Sequence, residues 1–244
     1  MTLKEVFSPY FKVRDLEDFW PMVCPCFDSE FCMEMITKDK FTLVQMVEAA
    51  CNYYLGKARN GKTIYWMIDE HRCGRDGHVG NHWISQVMKQ QKLIPYDMPI
   101  NHCLFGQHLL RNKLELNEVT PEALSRLRHV SIVEEERSAV ILSVLYPQSL
   151  WMATSYPANM SVERLKPLQG RTIRLFPKTD PIGATFVTWD EIARQSRERY
   201  HLDITVDDTL EAHATDAQRE SCIDLVGFLF DEGSKPSEFC VQTT

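Results

Sequence analysis

The strongest constraint on the fold is an alternation of short apolar runs and helical segments between residues 129 and 206. "HVSIV" (129–133), "SLWMAT" (149–154), "TIRLF" (172–176) and "HLDITV" (201–206) have the length and β-former content of strands. Between them, "ERSAVILSVLY" (136–146), "SVERLKPL" (161–168) and "WDEIARQSRERY" (189–200) read as helices. Pro167 limits the second of these, and a capping box of Thr188 and Glu191 is expected to open the third. Strand–helix repetition of this kind builds a parallel sheet. The first three strands are almost wholly apolar, which implies helices on both faces. The expected class is therefore α/β.

The flanking segments are less regular. Thr42 and Gln45 form a capping box ahead of "LVQMVEAACNYYL" (43–55), which has helical periodicity. "TIYWMID" (63–69) reads as a strand, and "EHRCGRDGHVGNHW" (70–83), with Gly74, Gly77 and Gly80, as a hairpin turn region. "INHCLFGQHLL" (100–110) has no clear pattern. Thr120-Pro121 opens a short helix to about Arg128, and Thr215 with Gln218 caps a helix running to about Phe230. The expected division is an N-terminal α+β region (1–118), an α/β domain (119–210), and a C-terminal helix with a polar tail (211–244).

Charge narrows the partners. The chain carries 27 basic and 34 acidic residues, a formal net charge of −7. That balance argues against coating nucleic acid by bulk charge, which requires neutralising phosphates with Lys and Arg. No apolar run approaches the roughly 18 residues of a membrane span, so no membrane partner is expected. The N-terminal stretch is charged throughout and has no apolar signal core. The eight cysteines are scattered, which fits reduced thiols and a cytoplasmic location.

In parallel sheets, ligands bind beyond the carboxyl ends of the strands. Glu134, Glu135 and Glu136 follow the first strand of the alternation, Ser155 and Tyr156 the second, and Lys178, Thr179, Asp180 and then Gly183 the third. One or two carboxylates are the usual protein contribution to a Mg²⁺ site, with water and phosphate completing the octahedron. Glu134 and Asp180 are the natural pair.

"VSIVEEERSAVILSVLYP", "LWMATS" and "LQGRTIRLFPKTDPIGATF" follow in that order. Their order resembles a Toprim domain, the metal-binding fold of bacterial primases, topoisomerases and some nucleases. The primase-like Toprim proteins of bacterial mobile elements are most similar, with "IVE-x-EK-[ST]A", "W-x-ATGG" and "GR-x-V-x-LFPD-x-D-x-x-G". "GKTIYWMID", "NHCLFGQHLL" and "TLEAHATDAQRESCIDLVGFL" resemble other stretches of the same proteins, so the likeness spans roughly residues 42–230. It implies a Toprim-like parallel sheet flanked by helices, with an N-terminal α+β region and a C-terminal helix. Glu134 matches the glutamate that acts as general acid/base or metal-associated group, and Asp180 matches the second, metal-binding aspartate of a DxD pair. Arg137, Lys178 and Gly183 are the candidate substrate contacts.

The resemblance implies Mg-dependent handling of nucleic acid (DNA before RNA) or nucleotides in mobile-element replication, alongside replication proteins. Two alternatives share the fold: a catalytically inactive module that binds nucleic acid or a replication partner, and a metal-dependent nuclease.

Lys178 falls where the first aspartate of the DxD pair is expected, and Ser155-Tyr156 where the family has Gly-Gly. An ammonium about 4 Å from a site interacts with a unit charge by roughly 4 kcal/mol at an effective dielectric near 20. Pointing inward, it lowers metal affinity by orders of magnitude. The lysine can instead extend to solvent, pair with both acids and hold the site shut, or contact phosphate as a point charge.

Other constellations are weaker. Cys73, His78 and His82, with Asp69 and His71, fit no closed zinc template, and Cys24, Cys26 and Cys32 have unsuitable spacing. Lys57, Arg59, Lys62, Arg72 and Arg75 flank Tyr65 and Trp66, a pattern that can grip single strands by charge and stacking. A cysteine–histidine nucleophile in "NHCLFGQH" lacks a group to orient the base.

Overall fold

The computed structural model describes residues 25–92, 94–110 and 128–231. The helix expected at 120–128 and the polar tail lie essentially outside these residues. Two helices come first, α1 (Glu30–Thr37) and α2 (Leu43–Tyr53). The Thr42–Gln45 capping box opens α2, with both reciprocal hydrogen bonds formed.

An antiparallel sheet follows, built from β1 (Gly56–Lys57), β2 (Thr63–Ile68), β3 (Gly74–Val79) and β4 (His82–Trp83), in that spatial order. The glycine-rich stretch read as a turn is therefore mostly strand. The turn is confined to the five residues Asp69 to Cys73, closed by Asp69 N–H donating to the Cys73 carbonyl at 3.1 Å. Gly77 sits inside β3 because no side chain fits there. An added Cβ would lie 2.7 Å from Ile84 Cδ1 and 2.9 Å from the Trp66 ring. After β4 comes α3 (Ile84–Gln90).

The second sheet is four parallel strands in the order β6-β5-β7-β8: β5 (His129–Val133), β6 (Leu150–Ala153), β7 (Thr172–Leu175) and β8 (Asp203–Val206). The helices α4 (Glu136–Leu145), α5 (Val162–Leu165) and α6 (Ala184–Tyr200) connect them, confirming the α/β class. Alternation along the strands divides the core. Val133, Trp151, Ala153 and Phe176 pack with α4, α2 and the C-terminal helix, while Val130, Ile132, Met152, Ile173 and Leu175 pack with Trp189 and Ala193 of α6.

Two helix limits differ from expectation. α6 starts a turn before Thr188, with Gly183 as its N-cap, and Thr188 Oγ1 donates back to the Ala184 carbonyl at 2.8 Å. After α7 (Thr209–His213), the C-terminal helix is two pieces, α8 (Asp216–Glu220) and α9 (Leu225–Phe230). Thr215 and Gln218 do form the capping box of α8. The break follows from Cys222 at φ +52° and from Asp224, whose side chain accepts the Gly227 N–H and caps α9 anew.

The two sheets are joined at one edge. Phe105 forms an isolated antiparallel bridge with Ala153 of β6, with paired N–H···O bonds of 2.9 and 3.1 Å. The segment read as patternless thus extends the parallel sheet before turning into a 3₁₀ helix at Gln107–Leu110. Among the described residues, no helix is long and apolar enough to cross a membrane.

Candidate functional site

Glu134 is the first residue beyond β5, and its side chain is buried at 4% exposure. Its Oε2 lies 3.2 Å from Lys178 Nζ, while Oε1 has no hydrogen-bond partner. Burial pushes the Glu134 carboxyl above its ordinary range, and the Lys178 ammonium pulls it part of the way back. Lys178 is itself partly desolvated, yet the charge of Glu134 holds its pKa above the usual value. The lysine is fixed by its neighbour. Thr179 is fully buried, its N–H donating to the Ile223 carbonyl at 2.9 Å and its hydroxyl bonding the same carbonyl at 3.1 Å.

Asp180 is committed to a different task. Its Oδ1 accepts the N–H groups of Ile182 (3.1 Å) and Ala184 (3.0 Å), and its Oδ2 accepts that of Thr185 (2.7 Å). Slight burial works against ionisation, but the backbone donors of Thr185 and Ala184 outweigh it and hold the pKa at about 2. Gly183, at φ +70°, supplies the left-handed residue that swings the chain into α6. Gly183 and Asp180 together therefore start a helix.

These residues do not fit a Mg²⁺ site. One carboxylate is already neutralised by an ammonium, and the other spends both oxygens on backbone donors. Among the described residues, no group of three or more His, Cys, Asp or Glu side chains is placed to hold a metal ion. Arg137 is also occupied. It pairs with Glu34 of α1 at 2.9 Å and covers the Phe31 ring at 5.2 Å.

A second group of side chains, dispersed in sequence, meets nearby. Asp76 of β3 is completely buried, and its Oδ1 accepts the N–H groups of Gly77 (2.7 Å) and Ser85 (3.0 Å). Its Oδ2 accepts the Ser85 hydroxyl and lies 2.7 Å from His102 Nε2. His102 Nδ1 is 3.1 Å from the Tyr156 hydroxyl. Trp83 stacks on His102 with centroids 4.3 Å apart and packs against His78 on 4.8 Å spacing. His78 Nδ1 in turn lies 3.1 Å from Glu136 Oε1, which raises the His78 pKa against the effect of burial.

The two groups share the mouth of the parallel sheet. The Ser155 N–H, beside Tyr156, donates to the Glu134 carbonyl at 2.8 Å. Asn159, 2% exposed, holds this loop: its Nδ2 donates to the carbonyls of Thr154 (2.7 Å) and Cys103 (3.3 Å). Ser155 sits at φ +69°, the left-handed geometry that a glycine favours.

Other candidates are resolved by burial. Tyr65 is part-buried and packed on the core and Trp66 is 3% exposed, so neither is free to stack on a strand; Lys57 pairs with Asp28 and Arg75 with Asp69. The Asp69 carboxylate accepts the N–H groups of His71 and Cys73, both at 2.9 Å, which makes that cluster a closed turn. Cys24 lies outside the described residues. The Cys103 thiol, deep in the protein, is pushed far above its normal range by desolvation, opposite to the shift a nucleophile needs.

The family model of a domain of unknown function, DUF6371, matches residues 29–179, which covers both sheets through β7 and the loop carrying Lys178. The chain belongs to that family. No curated protein matches it. The DUF6371 match takes in Asp76, His102, Glu134, Tyr156 and Lys178, while Asp180 and the start of α6 fall just beyond its end.

Proposed function

We propose that this DUF6371 chain is a Toprim-like module of the primase-like class that binds nucleic acid or a replication partner in the cytoplasm. Metal-dependent phosphoryl transfer at Glu134 has been given up. The observation that carries this reading is the 3.2 Å pair between Lys178 and Glu134, with Asp180 capping α6 instead of facing a cation. An ammonium in place of a ligand repels Mg²⁺, and its remaining donors suit a phosphate oxygen. The order of the motifs around Glu134 and Lys178 supports the Toprim-like assignment.

Two measurements test it. Fluorescence anisotropy with single-stranded DNA should show binding that is unchanged by EDTA and weakened severalfold by Lys178→Glu. Calorimetric titration with Mn²⁺ should show no millimolar site in the native chain and a new one in Lys178→Asp. Metal binding by the native chain, with DNA cleavage or primer synthesis, would return the assignment to a metal-dependent nuclease or primase.

A further inference from the structure

Asp76, His102 and Tyr156 form a chain of hydrogen bonds with a direction built into it. Gly77 N–H, Ser85 N–H and the Ser85 hydroxyl all donate to Asp76, and His102 Nε2 is the fourth group on it. A carboxylate with three donors already in place is held ionised and accepts only, so His102 Nε2 carries a proton. With the imidazole neutral, Nδ1 is then an acceptor, and the Tyr156 hydroxyl donates to it. The outward side of Tyr156 presents lone pairs and repels an anion.

Protonating His102 reverses that polarity. Nδ1 becomes a donor to the Tyr156 oxygen, and the phenolic proton is freed to point away from the ring. The chain then runs from Asp76 through His102 to a hydroxyl donating outward, with a positive charge one bond behind it. We propose that this is a proton-coupled site for a phosphate diester, in which a phosphate oxygen accepts from Tyr156 and His102 takes up one proton. This deepens the reading of the chain as a nucleic-acid-binding module, on which it rests, by naming the group that receives the backbone phosphate.

The surroundings suit that role. The phenol stays protonated at neutral pH because burial pushes its pKa up, and the Arg164 guanidinium is near enough to oppose the rise. Ser155 Oγ has no hydrogen-bond partner among the described residues, which leaves a second hydroxyl beside Tyr156. The geometry is also preset. The Phe105–Ala153 bridge lies three residues from both His102 and Tyr156, and Asn159 ties the Cys103 and Thr154 carbonyls together. The charged groups around the imidazole are Asp76 on one nitrogen, Arg164 beyond Tyr156, and the His78–Glu136 pair across Trp83.

The probe is thymidylyl-thymidine, whose diester does not itself titrate near neutrality. Calorimetry at about pH 7.5 in buffers of different ionisation enthalpy should show binding with close to one proton taken up, tightening as pH is lowered toward about 6. His102→Gln should abolish both the uptake and the pH dependence. Tyr156→Phe, which removes one partly exposed hydroxyl and leaves the fold intact, should weaken binding about tenfold and also abolish the uptake. Binding without proton uptake, uptake that survives in either variant, or no binding at millimolar dinucleotide overturns the site. Single-stranded DNA binding that persists alongside any of those results leaves the broader reading standing.

Discussion

Lys178 Nζ lies 3.2 Å from Glu134 Oε2, while Thr179 beside it is tied to the Ile223 carbonyl and cannot yield. The pair is therefore set by the backbone on both sides, and removing one member strands the other.

Lys178→Met should destabilise the protein by about 1–2 kcal/mol, below the figure for a fully buried pair because the lysine is partly solvated. The Glu134 pKa is raised, so its contribution to stability is full below the unfolded value of about 4.3 and is lost as pH rises through the folded value. Without the ammonium that value rises further. Chemical denaturation of Lys178→Met should accordingly show a stability that falls more steeply above about pH 5 than in the native chain. Replacing both residues with leucine should recover most of the loss.

Asp180→Ala removes the cap of α6 and should cost about 1 kcal/mol. The depressed pKa of about 2 means that the carboxylate stabilises above its unfolded value and stops doing so as pH falls toward 2. Acid titration of the native chain followed by circular dichroism should show this loss below about pH 4, and Asp180→Ala should lack it. Mn²⁺ binding should be the same in both proteins.

His78 is held above its ordinary pKa by Glu136, so its stabilising effect is complete below about 6.5 and disappears as pH rises through the folded value. In Glu136→Gln the His78 ring resonances should titrate at lower pH by NMR, and the stability change across that range should shrink.

Ser155 occupies φ +69°, at a position where the resembling proteins carry glycine. Ser155→Gly should stabilise the chain by up to about 1 kcal/mol, read as a rise of a few degrees in melting temperature. A fall would show that its hydroxyl has a partner worth more than the strain.

The parallel sheet was legible because four apolar runs with helices between them leave few other arrangements. The charge reversal at Lys178 was equally visible, and the pairing with Glu134 was among its expected outcomes. Asp180 was misread because its three acceptor bonds come from backbone N–H groups, which carry no residue-type signal. The Asp76–His102–Tyr156 chain was hidden for another reason. Its members come from β3, the segment before the 3₁₀ helix and the loop after β6, so no spacing links them. β3 itself was missed because Gly74 and Gly77 look like turn residues, although Gly77 is required by the Trp66 ring lying across it.

The largest apolar cluster draws Phe31, Met46 and Tyr53 from the first two helices, Val140 and Trp151 from the parallel-sheet layer, and Leu225 from the last helix. Its members are separated by nearly the whole described chain, yet they bury one another. Expression of residues 119–244 alone should give an aggregating product, since cutting there exposes Trp151 and the apolar face of α4. A nascent chain likewise cannot complete this layer until α9 has left the ribosome. Folding is thus tied to the end of synthesis, and the mouth of the sheet, with Lys178 and Tyr156, forms only in the finished polypeptide.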